Sequence, residues 1–565
     1  MSCIPTAFWT FERDDPVFQL TVQFENGAPP QTAAISPEET LLEALRKLGA
    51  AVDAPCGGNG TCGKCRVKIV SGTVFPAAGE DGRALACSVR ARSDLSILLP
   101  KETSAVQTGM KIAGASDLSA LCKTLENAGV CMHSAADAGY ALALDIGTTT
   151  VCGILLEQKS GNILSDASCG NAQIRYGADV IHRIIEQGKP GGRQALQNAI
   201  VKDTLCPLIE TLCTRAGIRA SEIRRVSIAA NTTMNHLLAG VDADCIRTEP
   251  YTPAFLQLPG LHASDLSLPV HPDAELLFAP NVGSYVGGDI TAGVLACGLW
   301  NEDALSLFVD LGTNGELVLG NRDFLITCAC SAGPAFEGGD ISCGMRAMPG
   351  AIEKVRLSRD TLAPELRVIG DTKPRGLCGS GLIDTVAKLF ACGAIDARGR
   401  FIRSSSRIVR GCHGVGRYLL ALPEESADGR EIALDEVDID NFIRAKGAVF
   451  SAIDTLLSFL ELDESMLEHI YVAGGIGSAI DLKNAALVGM LPNLPQERFR
   501  YLGNTSLAGA YAIARSDAAA EKTAQLAQNM TYLELSTHPG YMDAFVAACF
   551  LPHTNQRRFP QLSSL

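Results

Sequence analysis

No stretch of this chain is an uncharged apolar run long enough to cross a membrane, so insertion into a bilayer is not expected. The N-terminal stretch meets Glu12, Arg13, Asp14 and Asp15 before any long apolar run and lacks a secretory h-region, so a cytoplasmic protein is expected. Basic residues are outnumbered, with 48 Lys and Arg against 62 Asp and Glu for a net charge of −14. That balance argues against nucleic acid or an anionic membrane as the main partner. The P-loop sequence G-x-x-x-x-G-K-[ST] is absent. Cysteine, by contrast, is plentiful: its 20 residues in a reducing compartment fit metal ligation or a strictly reducing habitat better than disulfides.

With 565 residues, 47% of them hydrophobic and 19% charged, the chain has the composition of a soluble globular protein. It exceeds the size at which a single core keeps growing, and roughly two to four domains are expected.

Residues 17 to 35 read as a hairpin. Val17, Leu20, Val22 and Phe24 form an apolar-rich strand, Asn26-Gly27 supplies the turn, and the return strand ends near Ile35. Ser36-Pro37-Glu38-Glu39 has the form of an N-cap, a first-turn proline and a capping-box glutamate, introducing a helix with Leu41, Leu42, Leu45 and Leu48. This opening delivers the chain to Cys56, Cys62 and Cys65 on one glycine-rich loop, with Cys87 further on, a C-x5-C-x2-C-x21-C spacing. Three soft ligands on a loop and a fourth from a separate segment can enclose a metal centre, while the glycines let N–H groups approach inorganic sulfur. A structural zinc site uses similar residues but usually draws them from two close pairs. One long loop after a ferredoxin-like opening favours [2Fe-2S], and the region resembles the [2Fe-2S] ferredoxin fold with these four cysteines in the ligand positions. Its first interval is five residues where the plant-type pattern has four.

Near the middle of the chain, Phe308-Val309-Asp310-Leu311-Gly312-Thr313-Asn314-Gly315-Glu316 has an earlier echo in Leu144-Asp145-Ile146-Gly147-Thr148-Thr149-Thr150. In each, a short apolar run ends in an Asp, and a Gly with hydroxyl or amide side chains follows. That is a buried strand entering a tight turn that can hold phosphate, with the Asp placed for a metal ion or its water. One such turn is an ordinary strand end as readily as a phosphate loop; two suggest similar lobes closing on one nucleotide. A third strand end, Val472-Ala473-Gly474-Gly475-Ile476-Gly477, is built from glycines that allow close approach of a flat ligand. The trio resembles the two phosphate loops and the adenosine loop of the acetate kinase, sugar kinase, Hsp70 and actin superfamily.

Between these landmarks the pattern is less specific. Residues 101–138 read as a linker or small packing element holding a helix with Leu118, Leu121 and Leu125, and Cys122 and Cys131 there as thiols without a ligand pattern. Asn171, Gln173, Arg175 and Asp179 can orient a loop near a ligand or cap and anchor a surface helix. Asn231, Thr232 and Thr233 can make a polar turn or a helix cap, and His236 reads as a packed histidine. Prolines from Pro250 to Pro280 punctuate a connection that ends in the loop Asn281 to Asp289. Cys328 and Cys330 read as loop or packing thiols, Cys378 to Asp384 as a glycine-rich strand-to-helix turn, and residues 402–434 as a peripheral excursion.

In this order the signatures resemble the ATP-dependent reductive activators of corrinoid proteins, over nearly the whole chain. The resemblance implies a multidomain α+β and α/β fold: a β-grasp [2Fe-2S] ferredoxin domain at 1–100, a linker at 101–138, a first ATPase lobe at 139–255 and the rest of a two-lobed actin-like ATPase at 256–565. It implies one-electron reduction of a corrinoid protein of a methyltransferase system, Co(II) to Co(I), by a homodimer fed from a low-potential electron donor. Cys56, Cys62, Cys65 and Cys87 would hold the cluster. Asp145 and Asp310 would position Mg2+-bound or water-bound ATP, Gly147, Thr148, Thr149, Gly312, Thr313 and Asn314 its phosphates, and Gly474, Gly475 and Gly477 its adenosine. The D-x-H-x-x-G signature of a cobalt-carrying protein is absent, which places the corrinoid on a separate partner. Two alternatives stay open: an ATP-driven electron donor to another low-potential metalloenzyme, and a redox-responsive ATP-dependent remodelling protein that donates no electron.

Overall fold

The computed structural model describes residues 17–25, 29–48, 50, 52, 58, 60, 65–79, 81–99, 115–132, 139–177, 179–258, 260–411, 414–475 and 480–560. The chain divides into two compact units, residues 1–105 with 172–178, and residues 106–171 with 179–565.

The first unit is built on a five-stranded sheet in the order Gln31–Ile35, Phe18–Phe24, Leu95–Leu99, Arg66–Ser71, Arg83–Leu85. Alternation along Phe18–Phe24 turns Leu20 and Val22 inward. That strand pairs in parallel with Leu95–Leu99, Leu20 opposite Leu95 and Val22 opposite Ile97. A parallel pair needs a long crossover, and this one carries the helix Leu41–Leu48, with Leu41, Leu42 and Leu45 buried. The result is the expected β-grasp. The cap sits later than the sequence indicates. Thr40 and Glu43 form the capping box, Thr40 N–H donating to Glu43 Oε2 at 2.7 Å and Glu43 N–H to Thr40 Oγ1 at 3.2 Å. Ser36 and Glu39 close the preceding turn, Ser36 N–H donating to Glu39 Oε1 at 3.1 Å. Burial of Leu41 decides between two equally good local signals. The Asn26-Gly27 turn lies outside the described residues.

The second unit holds two six-stranded sheets of one plan. The first runs Ile163–Gly170, Thr150–Glu157, Tyr140–Ile146, Ile223–Ala230, Glu275–Phe278, Leu261–His262; the second runs Leu325–Cys330, Gly315–Gly320, Ser306–Leu311, His469–Ala473, Phe499–Gly503, with Met530–Tyr532 beyond Leu325–Cys330. Each contains an antiparallel three-strand meander. To the meander's first strand each adds two further strands in parallel. The echo of Asp145 in Asp310 is therefore the echo of one sheet in another. Central strands covered on both faces read as continuous apolar runs, and Ile223–Ala230 is buried at every position but Arg224.

Three expectations are corrected. The lobe boundary at 255/256 falls inside the first sheet, because Glu275–Phe278 returns to pair with Ile223–Ala230, Arg225 opposite Glu275. The prolines interrupt regular structure along the way without ending the domain. Within 101–138 the reading as a small packing element replaces that of a linker for the helix Ala115–Asn127: Leu118, Leu121 and Leu125 join a core of the second unit together with Val130 and Met132. Residues 402–434 are more than an excursion, since the strands Ile408–Arg410, Gly416–Ala421 and Ile432–Asp435 form a small sheet that sends Tyr418, Leu420 and Leu434 into the other core of this unit. Cys328 and Cys330 stand on a strand, their thiols buried.

Beyond its last parallel strand each lobe has a helix, Gly288–Cys297 in the first and Thr505–Arg515 in the second. The second is buried from Thr505 to Ala514, as a helix apolar all round must be. The two pack together so closely that a Cβ on Gly509 would stand 2.0 Å from the Ala292 carbonyl oxygen.

Candidate nucleotide and metal sites

Strand register sets the two aspartates. Asp145 lies opposite Ala229 and Asp310 opposite Ala473, so each faces the turn that follows the neighbouring parallel strand, at Asn231 in one lobe and Gly474 in the other. The first loop is held from three directions. Asn171 Nδ2 donates to the Gly147 carbonyl at 2.9 Å, Arg183 Nη2 donates to the Thr148 carbonyl, and Asn231 Nδ2 donates to Thr148 Oγ1 at 3.1 Å. The Thr149 carbonyl accepts the Asn171 N–H at 2.9 Å. Asn231 also caps the helix Thr232–Ala239 through the Met234 N–H, so it fills both roles the sequence allows. Asp179 instead caps Val180–Gln187, accepting the His182 N–H at 2.9 Å, while Gln173 and Arg175 belong to the segment grouped with the first unit.

In the second loop Gly312 N–H donates to the Asn314 carbonyl at 2.9 Å, and the Thr313 hydroxyl donates to Glu337 Oε2 at 3.0 Å. Gly474 has φ +105°, and a Cβ there would lie 2.3 Å from the Leu311 carbonyl and 2.7 Å from Asp310 Oδ1. A glycine is thus required where the adenosine loop crosses the second aspartate. The Tyr501 hydroxyl fixes the Gly474 carbonyl at 3.1 Å, and Gly475 is exposed. Gly477 lies outside the described residues.

Four acidic groups from separate elements share this region, Glu316 buried and Asp145, Asp289 and Asp310 partly exposed. Burial pushes the Asp145 carboxyl up to about 6 against the lowering effect of Asn504, whose Nδ2 donates to Asp145 Oδ2 at 2.7 Å. Burial and then the Asp145 charge push Asp289 up to about 7. Burial, then Asp289 and Asp145, push Asp310 up to about 8, and burial, then Asp289 and Asp310, hold Glu316 well above the usual carboxylate range. Like charges taken out of water raise each other in this way until a cation joins them. The all-oxygen donor set fits Mg2+. Among the described residues no three such groups converge tightly enough to grip a metal alone, which suits an ion bound through one or two carboxylates, waters and substrate phosphate.

Asp145, Asp310 and the loop residues around them are therefore brought together. Arg183, Asp289, Glu316, Glu337 and Asn504 join them without having been singled out by sequence as site residues. Asp289 follows two glycines at a helix start, a signal that could have drawn notice, whereas Asn504 looks like an ordinary cap and does cap its helix through Leu507 N–H.

Of the four cluster cysteines, Cys65 and Cys87 are described and their sulfurs stand 3.3 Å apart, close enough to serve one metal centre. Cys56 and Cys62 lie outside the described residues. Cys87 follows Ala86, whose carbonyl accepts the Leu42 N–H at 2.9 Å, so the buried helix fixes the fourth cysteine. Gly58, on the loop between, takes φ +106° with its missing Cβ facing Leu42 Cδ2 at 3.2 Å. The thiol pair and glycine loop fit a [2Fe-2S] cluster. His236 is fully buried and bonded within its own lobe, as a packed histidine. The Cys122 sulfur accepts from Arg515 Nη1 at 3.0 Å.

Comparison with known proteins matches three stretches of the chain. Residues 24–92 match a 2Fe-2S iron-sulfur cluster binding domain, residues 140–302 the RACo middle region, and residues 304–563 the C-terminal domain of RACo, the ASKHA domain. The corrinoid activation enzyme RamQ of Eubacterium limosum is 33% identical over 416 residues, 72% of this chain and 69% of its own. The [Co(II) methylated amine-specific corrinoid protein] reductase of Methanosarcina barkeri is 27% identical over 279 residues, 46% of this chain and 48% of its own. A solved reductive activator for a corrinoid, iron-sulfur protein matches with a TM-score of 0.71 and 36% identity, over 96% of this chain and 100% of that one.

Proposed function

The chain belongs to the reductive activators of corrinoid proteins, and we propose that it uses ATP to return a corrinoid protein of a methyltransferase system from Co(II) to Co(I), restoring its competence for methyl transfer. The observation that carries this reading is the meeting of two phosphate-type loops and four mutually raised carboxylates at the junction of two like lobes, in a chain that also bears a 2Fe-2S domain.

The cluster, when bound by Cys56, Cys62, Cys65 and Cys87, supplies a one-electron carrier, filled by a low-potential donor. Co(I) lies at very low potential, and each ~59 mV of deficit costs about 1.4 kcal/mol for one electron, so conduction alone is insufficient. Gly147, Thr148, Thr149, Gly312, Thr313 and Asn314 bind the ATP phosphates, Gly474, Gly475 and Gly477 admit the adenosine, and Asp145 and Asp310 hold Mg2+ or its water. Nucleotide drawing the lobes together changes their affinity for the partner, and differential binding of its Co(II) state shifts the equilibrium. The working form is a cytoplasmic homodimer.

The test is to purify the protein anaerobically, reduce it, and follow the cobalt spectrum of candidate corrinoid proteins with and without ATP. ATP-dependent appearance of Co(I) is the expected result. ATP turnover and an intact cluster without Co(I) would assign the protein to a different client.

A further inference from the structure

Four carboxylates of the nucleotide site raise one another's protonation, and a fifth stands at the second phosphate loop. Glu337 ends the 3-10 turn Pro334–Glu337, which is bracketed by Gly333 at φ 71° and Gly338 at φ 78°. A Cβ on Gly338 would lie 2.5 Å from the Met345 backbone nitrogen, so the turn is pressed against a neighbouring segment and the direction of its one acidic side chain is set by backbone. That side chain is half-buried.

Its two oxygens have different tasks. Oε2 accepts the Thr313 hydroxyl at 3.0 Å, which ties Glu337 to the second phosphate loop. Oε1 lies 4.0 Å from where a Cβ on Gly312 would stand, so it faces the same loop where that loop has no side chain. The Glu337 charge also reaches Arg183, the guanidinium that donates to the Thr148 carbonyl of the first phosphate loop. One carboxylate thus stands at the second phosphate loop, with Oε2 engaged by Thr313 and Oε1 facing Gly312.

We propose that Glu337 is the catalytic base of ATP hydrolysis, orienting and deprotonating the attacking water through Oε1 while Thr313 holds Oε2. The inference rests on the reading of the two loops as the ATP site. The water oxygen bonds to the γ-phosphorus as the bond from that phosphorus to the β,γ-bridging oxygen breaks, and ADP leaves. The water proton passes to Glu337 and from there to the inorganic phosphate. A carboxylate within reach of the nucleophile is what phosphoryl transfer to water asks of a protein. The other four, drawn toward a cation, are less free to supply it.

The competing role is simple support of Thr313, and two variants separate the roles. Glu337→Gln can still accept from Thr313 but cannot take a proton; Thr313→Val removes the tie and leaves the carboxylate. Steady-state hydrolysis, binding of a non-hydrolysable ATP analogue and single-turnover decay of bound ATP are measured on the full chain, with cluster absorbance and thermal unfolding as folding controls. E337Q should lose about 10²-fold or more in kcat, keep analogue affinity within about threefold, and accumulate undecayed ATP. Glu337→Asp should recover part of the rate with an altered pH profile. Wild-type turnover in E337Q overturns the proposal, and so does a loss of analogue affinity equal to that of T313V. If the wild-type protein neither binds nor hydrolyses ATP, or if Asp310→Ala binds and hydrolyses it normally, the site reading itself fails and the proposal falls with it.

Discussion

Asn504 donates from Nδ2 to Asp145 Oδ2 at 2.7 Å across 359 residues of sequence. An amide at the start of the second lobe's helix thus attends the first lobe's aspartate. Reciprocally, the start of the first lobe's helix carries Asp289, whose charge falls on Asp310. Burial raises both carboxyls first; the Asn504 donor then restrains Asp145 to about 6, while the charges of Asp289 and Asp145 carry Asp310 on to about 8.

Asn504→Ala should therefore raise the Asp145 carboxyl further and weaken Mg-ATP binding about tenfold, the loss of one hydrogen bond to a charged group. Titration with a fluorescent nucleotide measures it. Asp145→Ala combined with Asn504→Ala should cost no more than Asp145→Ala alone, since the pair acts as a unit.

Asp310→Ala should abolish ATP-coupled activation while leaving the iron-sulfur spectrum intact. Asp310→Asn replaces a carboxyl that the fold must hold protonated up to about pH 8, a cost the amide does not carry, so the metal-free protein should melt a few degrees higher than wild type at neutral pH. The stabilisation that wild type gains from Mg2+ and ATP should disappear in the same variant. Thermal scans with and without nucleotide decide both points, and retained activation with ATP would contradict the role given to Asp310.

Gly509→Ala offers a test by sign. In an ordinary helix the change gains about 1 kcal/mol from propensity. Here the new methyl would stand 2.0 Å from the Ala292 carbonyl, and overpacking at a rigid backbone contact should cost about 3 kcal/mol instead. Denaturant unfolding should show destabilisation; a gain in stability would show that the two helices separate freely.

His236 should stay neutral as the pH falls. Its Nδ1–H donates to the Thr232 carbonyl at 2.8 Å, Nε2 accepts the Ala254 N–H at 3.2 Å, and its ring lies flat on Phe255 with centroids 4.1 Å apart. Burial lowers its pKa below 6.5 against the raising effects of the Thr232 bond and Asp242. Below 6.5 the unfolded chain takes up the proton first, so the stability His236 contributes is full above that pH and is lost as pH falls toward the lower folded value. The stability gap between wild type and His236→Gln should accordingly narrow between pH 7.5 and about 5.5.

The Asp145 and Asp310 loops were legible because everything that defines them is local, an apolar strand, an acid and a turn. Asn504 and Asp289 were not, because their meaning depends on a helix of one lobe meeting a strand of the other. Asn504 in particular had a sufficient local explanation as a cap. The same competition between local signals misplaced the first helix cap, where Ser36 and Thr40 each precede a glutamate by three and only burial of Leu41 chooses. The prolines between Pro250 and Pro280 suggested a boundary, since nothing in composition shows that Glu275–Phe278 comes back to the sheet it left. The iron-sulfur domain was legible from a ferredoxin-like opening that leads into soft ligands on a glycine loop, and of its four cysteines the structure brings Cys65 and Cys87 together.

The crossed attendance of the two lobes bears on ancestry. Asp145 takes its donor from the other half of the unit, and Asp310 its neighbouring charge, so half of this plan, standing alone, does not complete its own pocket. A single-lobe forerunner could have functioned only as a pair of identical copies, each lending its helix to the other. The two lending positions differ, one an amide and the other an acid, a difference that a symmetric pair could not keep.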